Sequence, residues 1–197
     1  MKVHAIRHGR SEFNQWRINQ IVRPWKWFDE PPEFTDAKLT LEGVDQARRA
    51  SEKYKDILKN CQLIICSPLT RAIQTMQILT RGLDIPVVIT PLVTERTDTM
   101  CDIGRTYSEL KAEYKMYELL HFEKEHWWHH DGEDPMKLVK EDKELVAQRV
   151  RAFMDFLADR GVKEVLLVSH CHFLSEFLES WRPLANCELK TVSFNYS

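Results

Sequence analysis

The chain has 197 residues, 43% apolar and 29% charged, a length that suits one domain with a well-buried core and is short for two. Its formal net charge of -2 at pH 7 excludes the diffuse basic field of a nucleic-acid or acidic-membrane binder, so any anion site has to be local. No apolar run approaches the roughly 20 residues of a membrane span, and the five cysteines, Cys61, Cys66, Cys101, Cys171 and Cys187, form no C-x-x-C pair. Dispersed and odd in number, they fit reduced thiols, and the expected compartment is the cytoplasm.

Short apolar runs alternate with amphipathic helical patterns, the rhythm of an α/β protein. Residues 3–6, "VHAI", predict a strand that Gly9 ends, and residues 39–60 predict one helix capped by Thr40, with Val44, Ala47, Tyr54 and Leu58 on one face. "LIIC", residues 63–66, is a buried-type strand, and Pro68 is placed in the first turn of the helix that follows, which Gly82 ends. Residues 86–89 predict another strand. Beyond it, Tyr107, Leu110, Tyr114 and Tyr117 recur at helical spacing. A helix over residues 144–160 ends at Gly161, residues 164–170 form the clearest central strand, residues 173–181 a helix, and "KTVSFNY" an edge strand.

The chemistry sits at the strand-to-helix junctions. "AIRHG" supplies Arg7 and His8, "IICSPLTR" supplies Arg71, and "LLVSHCH" supplies His170. In open α/β sheets ligands bind beyond the carboxyl ends of the strands, so three distant junctions can converge on one pocket. Guanidiniums, and the free amides expected at the helix N-termini, favour an anion there, and phosphate is the natural guest. Asn14 and the backbone after Gly9 can donate further hydrogen bonds.

In order and separation, "RHGRSEFN", "LTLEGVDQA", "SPLTRAIQT", "LVTER" and "VSHCHF" resemble the phosphoglycerate-mutase-like branch of the histidine phosphatase superfamily. The resemblance covers nearly the whole chain. It implies a three-layer α/β/α sandwich with a mostly parallel sheet, as a single domain over residues 1–197 with a specificity insertion around 96–143. It implies His8 as the nucleophile that becomes phosphorylated, Arg7, Arg71 and His170 as the phosphate pocket, Asn14 as a phosphate ligand and Glu95 as the proton donor. Ser11 and Gly9 fall in the same loop as substrate-binding candidates. The activity implied is metal-independent hydrolysis of a phosphomonoester, with no cofactor. The partner would be a small phosphorylated substrate, with neither nucleic acid nor membrane. A mutase and a non-catalytic phosphate binder are the alternatives.

Physical reasoning supports the assignment. Histidine attacks phosphorus only as neutral imidazole, and flanking arginines disfavour the protonated form. A phosphate dianion beside Glu95 is expected to raise that carboxyl toward its working range. Two positions depart from the family pattern. Arg10 follows the loop glycine, where it either selects a second anionic group or points to solvent. Cys171 stands where glycine is usual, with a Cβ that can crowd the phosphate or a thiol open to oxidation. Arg23, in the tryptophan-rich stretch after the nucleophile, is a candidate for a distal substrate charge. "EHWWHHDGED", residues 125–134, places His126 and His130 at i, i+4. A solvated or substrate-covering loop is the expectation there rather than a metal site, with Trp127 and Trp128 as packing.

Overall fold

The computed structural model describes residues 1–22 and 34–194. Its regular elements are β1 (Lys2–Arg7), α1 (Glu12–Val22), α2 (Leu41–Lys53), α3 (Lys55–Asn60), β2 (Leu63–Cys66), α4 (Thr70–Leu79), β3 (Val87–Ile89), α5 (Tyr107–Glu113), β4 (Glu118–Leu119), α6 (Lys143–Ala158), β5 (Glu164–Ser169), α7 (Cys171–Phe177) and β6 (Leu189–Ser193). The strands form a six-stranded sheet in the order β4-β3-β2-β5-β1-β6. All neighbours are parallel except β6, which closes the edge antiparallel to β1.

β1, β2 and β5 read as near-continuous apolar runs because helices cover both faces of the sheet. Successive residues alternate between the faces. Ile6, Ile64, Cys66, Leu166 and Val168 join a core that includes Ala47, Leu58, Ile73 and Met76 of α2, α3 and α4. Val3, Ala5, Ile65, Val165 and Leu167 face the opposite way, against Phe153 and Leu157 of α6 and Phe173 of α7. Each such fully buried large side chain contributes about 1.5–3 kcal/mol. The result is the expected α/β/α sandwich.

Several elements differ from their predicted extents. The helix expected over 39–60 is capped by Thr40 as predicted, the Gly43 amide donating to its hydroxyl at 3.0 Å. It breaks at Tyr54, however, with φ -106° and ψ 13°, and the Tyr54 hydroxyl there accepts from the Leu189 amide at 3.4 Å. Pro68 lies before α4 rather than inside it, because the Thr70 amide, where the helix begins, donates to Asp36 at 2.8 Å. The tyrosine-spaced segment is helical only to Glu113. Tyr114 turns inward to stack on Tyr117 at 5.9 Å, and β4 then pairs with β3. α7 stops at Phe177, and Glu179 takes a positive φ of 47°.

The stretch 96–143 is not set apart from the sheet, since β4 lies within it. Its two tryptophans pack inward: Trp127 donates to the Arg105 carbonyl at 2.7 Å and Trp128 to that of Pro135 at 2.7 Å. Asp131 accepts from the backbone of Glu133 and Asp134 and pairs with Lys137. Among the described residues no group of three or more His, Cys, Asp or Glu side chains is arranged to hold a metal ion, and no helix is long and apolar enough to cross a membrane.

β5 lies between β1 and β2, with Arg7 opposite Ser169 and Cys66 opposite Val168. The carboxyl ends of the three strands therefore share one rim, and the residues that follow them, His8, Ser67 and His170, meet there.

Candidate active site

The loop after β1 is fixed by backbone contact. A Cβ on Gly9 would lie 2.6 Å from the Gly43 carbonyl oxygen, and one on Gly43 would lie 2.1 Å from that of Arg10. The loop and the start of α2 can approach this closely only as glycines. The Gly9 amide donates to Thr75 Oγ1 at 3.0 Å, that of Arg10 to Gln46 Oε1 at 2.9 Å, and that of Thr40 to the Arg10 carbonyl at 2.9 Å.

This rigidity sets the state of His8, which is 2% exposed. Its Nδ1 lies 2.7 Å from the Gly9 carbonyl, an acceptor only, so Nδ1 carries the proton and Nε2 keeps its lone pair. Burial, then the charges of Arg71 and Arg7, hold the imidazole well below its usual pKa. His8 is thus a neutral imidazole whose free lone pair is on Nε2. The ring of His170, fully buried, lies 4.9 Å from that of His8. Its Nε2 is 2.7 Å from Ser67 Oγ, while its Nδ1 has no hydrogen-bond partner among the described residues. Burial, then Arg71 and His8, keep it neutral as well.

The cations are held from behind. Arg71, 3% exposed, donates to the Cys101 carbonyl at 2.6 Å and to Asp102 Oδ1 at 2.8 Å. Asp102 also accepts from the amides of Asp98 and Thr99 at 3.2 and 3.0 Å. Arg7 donates to the Leu184 carbonyl at 2.8 Å, and its buried Nε is without a partner among the described residues.

Glu95 follows a short 3-10 turn, Pro91–Val93. Its Oε1 accepts from the amides of Arg96, His172 and Phe173 at 3.0, 2.9 and 3.3 Å, and its Oε2 lies 3.4 Å from His172 Nδ1. Burial by itself would raise this carboxyl. The hydrogen bond and charge of His172, the charge of Arg71 and the Arg96 amide outweigh it and hold the pKa down at about 2. Glu95 is therefore ionised in this structure, below the working range expected of a proton donor, because its partners stabilise the carboxylate.

Arg7, His8, Ser11, Asn14, Arg71, Glu95 and Cys171 all line one cavity of about 210 Å³. His170 and Gly9 stand behind it, Gly9 acting through the His8 tautomer. Ser11 and Asn14 exchange hydrogen bonds at the start of α1, and Asn186 donates to the His8 carbonyl at 2.9 Å. Arg10 is not on the cavity wall, since its guanidinium pairs with Glu42 at the start of α2. Arg23 lies outside the described residues. Cys171 takes an ordinary helical position at the start of α7. Burial raises its thiol pKa despite nearby Arg7, which works against the thiolate an oxidation switch requires.

The free amides expected at the helix starts are largely consumed by the protein itself. Those of His172 and Phe173 bind Glu95, that of Thr70 binds Asp36, and that of Asn14 binds Ser11. The anion-attracting character of the cavity thus rests on arginine. Residues that sequence reasoning did not place here also line it, among them Arg17, Thr99, Cys101, Asp102 and His172. Arg17 lies three residues after Asn14 on α1, a helical spacing that could have marked it. Nothing local marked Asp102.

The family profile described as histidine phosphatase superfamily (branch 1) matches residues 3–195. A probable phosphatase of Schizosaccharomyces pombe is 28% identical over 141 residues, spanning 68% of this chain and 62% of that protein. A 2,3-bisphosphoglycerate-dependent phosphoglycerate mutase of Staphylococcus epidermidis is 30% identical over 83 residues, 42% of this chain and 31% of the mutase. The chain thus spans less than two thirds of the length of these curated relatives. The crystal structure of a putative alpha-ribazole-5'-P phosphatase from Escherichia coli superposes with a TM-score of 0.66 at 19% identity, covering 99% of this chain and 91% of that one. With its family profile matched almost end to end and its fold shared, the chain belongs to the histidine phosphatase superfamily.

Proposed function

We propose that the protein is a phosphomonoesterase that works through a phosphohistidine at His8 Nε2. The observation that carries this reading is the state of His8: neutral, with Nδ1–H bound to the Gly9 carbonyl and Nε2 left as the nucleophile on a cavity that Arg7 and Arg71 also line. The Nε2 lone pair attacks phosphorus in line with the departing oxygen. Arg71, aimed by Asp102, and Arg7 stabilise charge on the equatorial phosphoryl oxygens, where preorganised donors are most effective. The unpartnered Arg7 Nε and His170 Nδ1 are suited to the same oxygens, and Asn14 and Ser11 border the phosphoryl position. Glu95 exchanges the proton of the leaving oxygen and then of the attacking water. Residues 96–143 supply Thr99, Cys101 and Asp102 to the cavity wall and are proposed to set substrate choice, within a single domain spanning the chain.

The supporting relatives are phosphatases by name, and the similarity to a mutase leaves phosphotransfer between substrate positions as the second reading. The test is hydrolysis of a panel of phosphomonoesters with chelator present, comparing wild type with His8→Ala. Turnover lost in the variant, together with acid-labile phosphate on the wild-type protein only, supports the proposal. Isomerisation of a substrate without phosphate release would favour the mutase.

A further inference from the structure

The Glu95 carboxylate accepts three backbone amides and pairs with the His172 ring, and on its own it holds no proton to give a leaving alkoxide. His172 is placed to supply one. Its Nδ1 lies 3.4 Å from Glu95 Oε2, and its side chain is 43% exposed where that of Glu95 is 9% exposed. His172 lines the catalytic cavity and also an adjoining open groove of about 480 Å³. It stands between the buried carboxylate and water. We propose that His172 is the proton store of the reaction, delivering its Nδ1 proton to the leaving oxygen through Glu95 and recovering it from the water that hydrolyses the phosphoenzyme.

The inference rests on the phosphohistidine reading, and its steps balance. His8 Nε2 forms the P–N bond as the P–O bond breaks. The electron pair stays on the leaving oxygen, which takes a proton from Glu95 as Glu95 takes one from His172, leaving a neutral imidazole. Water then forms a new P–O bond as P–N breaks, the pair returns to His8, and the water's proton passes through Glu95 back to His172. The surroundings suit a cationic resting state. The Glu95 hydrogen bond, followed by its charge and that of Asp102, raises the imidazole pKa against burial and Arg96. Lys143 of α6, with Glu176 of α7 and Glu179 beyond it, faces the same imidazole across the groove. Asp98, Arg17, Arg7, Arg71 and His8 face it across the cavity.

The test compares His172→Asn, whose amide can still donate to Glu95 but does not titrate, with His172→Ala. Both are assayed on an alkyl phosphate and on an aryl phosphate with an acidic phenol. In kcat/KM, which reports the steps up to departure of the leaving group, His172 as a relay matters only where that group needs a proton. In both variants kcat/KM for the alkyl ester is expected to fall about 10²-fold, that for the aryl ester to change little, and the alkaline limb of the alkyl pH profile to move to lower pH. Rescue by asparagine, or equal losses on both esters, would show a merely structural hydrogen bond and overturn the inference. So would unchanged rates in both variants. A wild-type protein that forms no phosphohistidine would instead overturn the reading beneath it.

Discussion

Replacing Gly43 by alanine tests whether the loop that carries His8 is positioned by its contact with α2. The added Cβ would lie 2.1 Å from the Arg10 carbonyl oxygen and 2.9 Å from its nitrogen, where ordinary contact begins at 3.4 Å. Relief requires a backbone shift of more than about 1 Å, either in the loop that carries His8 or in the first turn of α2. Overpacking of this kind costs about 1–3 kcal/mol, against which alanine in a helix regains at most about 1 kcal/mol. A net loss of about 1–2 kcal/mol is expected in a denaturant or thermal melt. A displacement of that size at the reacting nitrogen is expected to lower kcat/KM about 10²-fold. Gly82→Ala is the control. Gly82 has a φ of +82° and nothing within 4 Å of an added Cβ, so it loses about 1–2 kcal/mol to left-handed backbone strain and keeps its activity. Wild-type kcat/KM in Gly43→Ala would refute the claim that the glycine contact positions the loop.

Two further outcomes follow from the same geometry. Glu95 has its folded pKa depressed to about 2, from an ordinary 4.5; its contribution, about 3 kcal/mol, is present above the ordinary value and lost as pH falls through the folded one. Glu95→Gln should therefore flatten the dependence of the melting temperature on pH between those two values, and an unchanged acid limb would contradict the hydrogen-bonding account. Arg10 pairs with Glu42 away from the cavity, whereas Arg17 lines it. Arg10→Ala should leave KM within about twofold, a surface pair being worth at most about 1 kcal/mol, while Arg17→Ala raises it; the reverse ranking in steady-state kinetics would place the substrate elsewhere.

The central strands were legible because residues 63–66 and 165–168 are apolar throughout, and Val3, Ala5 and Ile6 put apolar groups on both faces of the first, which a doubly covered sheet requires. The short elements were not. Tyr107, Tyr114 and Tyr117 sit at helical spacing, yet the helix ends where Tyr114 stacks on Tyr117 and the chain pairs with β3. Tyr54 falls on the expected helix face, but its hydrogen bond to Leu189, 135 residues away, belongs to tertiary structure. The site divides in the same way. Arg7, His8, Arg71 and His170 stood out because each follows or flanks a strand end that topology brings to one rim. Asp102, which aims Arg71 from 31 residues away, and His172, which reaches Glu95 across 77, act through pairings that no local spacing encodes. Arg10 shows the converse: adjacency to His8 in sequence placed it near the cavity, while Glu42 holds its charge outside.

The central claim is that His8 Nε2 becomes covalently phosphorylated. The most direct measurement is 31P NMR or intact mass of the protein quenched during turnover of a phosphomonoester, beside His8→Ala. The account predicts one acid-labile, alkali-stable phosphoryl group on the wild type and none on the variant, with turnover lost in parallel. Turnover by the wild type with no such adduct, or an adduct that persists in His8→Ala, would contradict it.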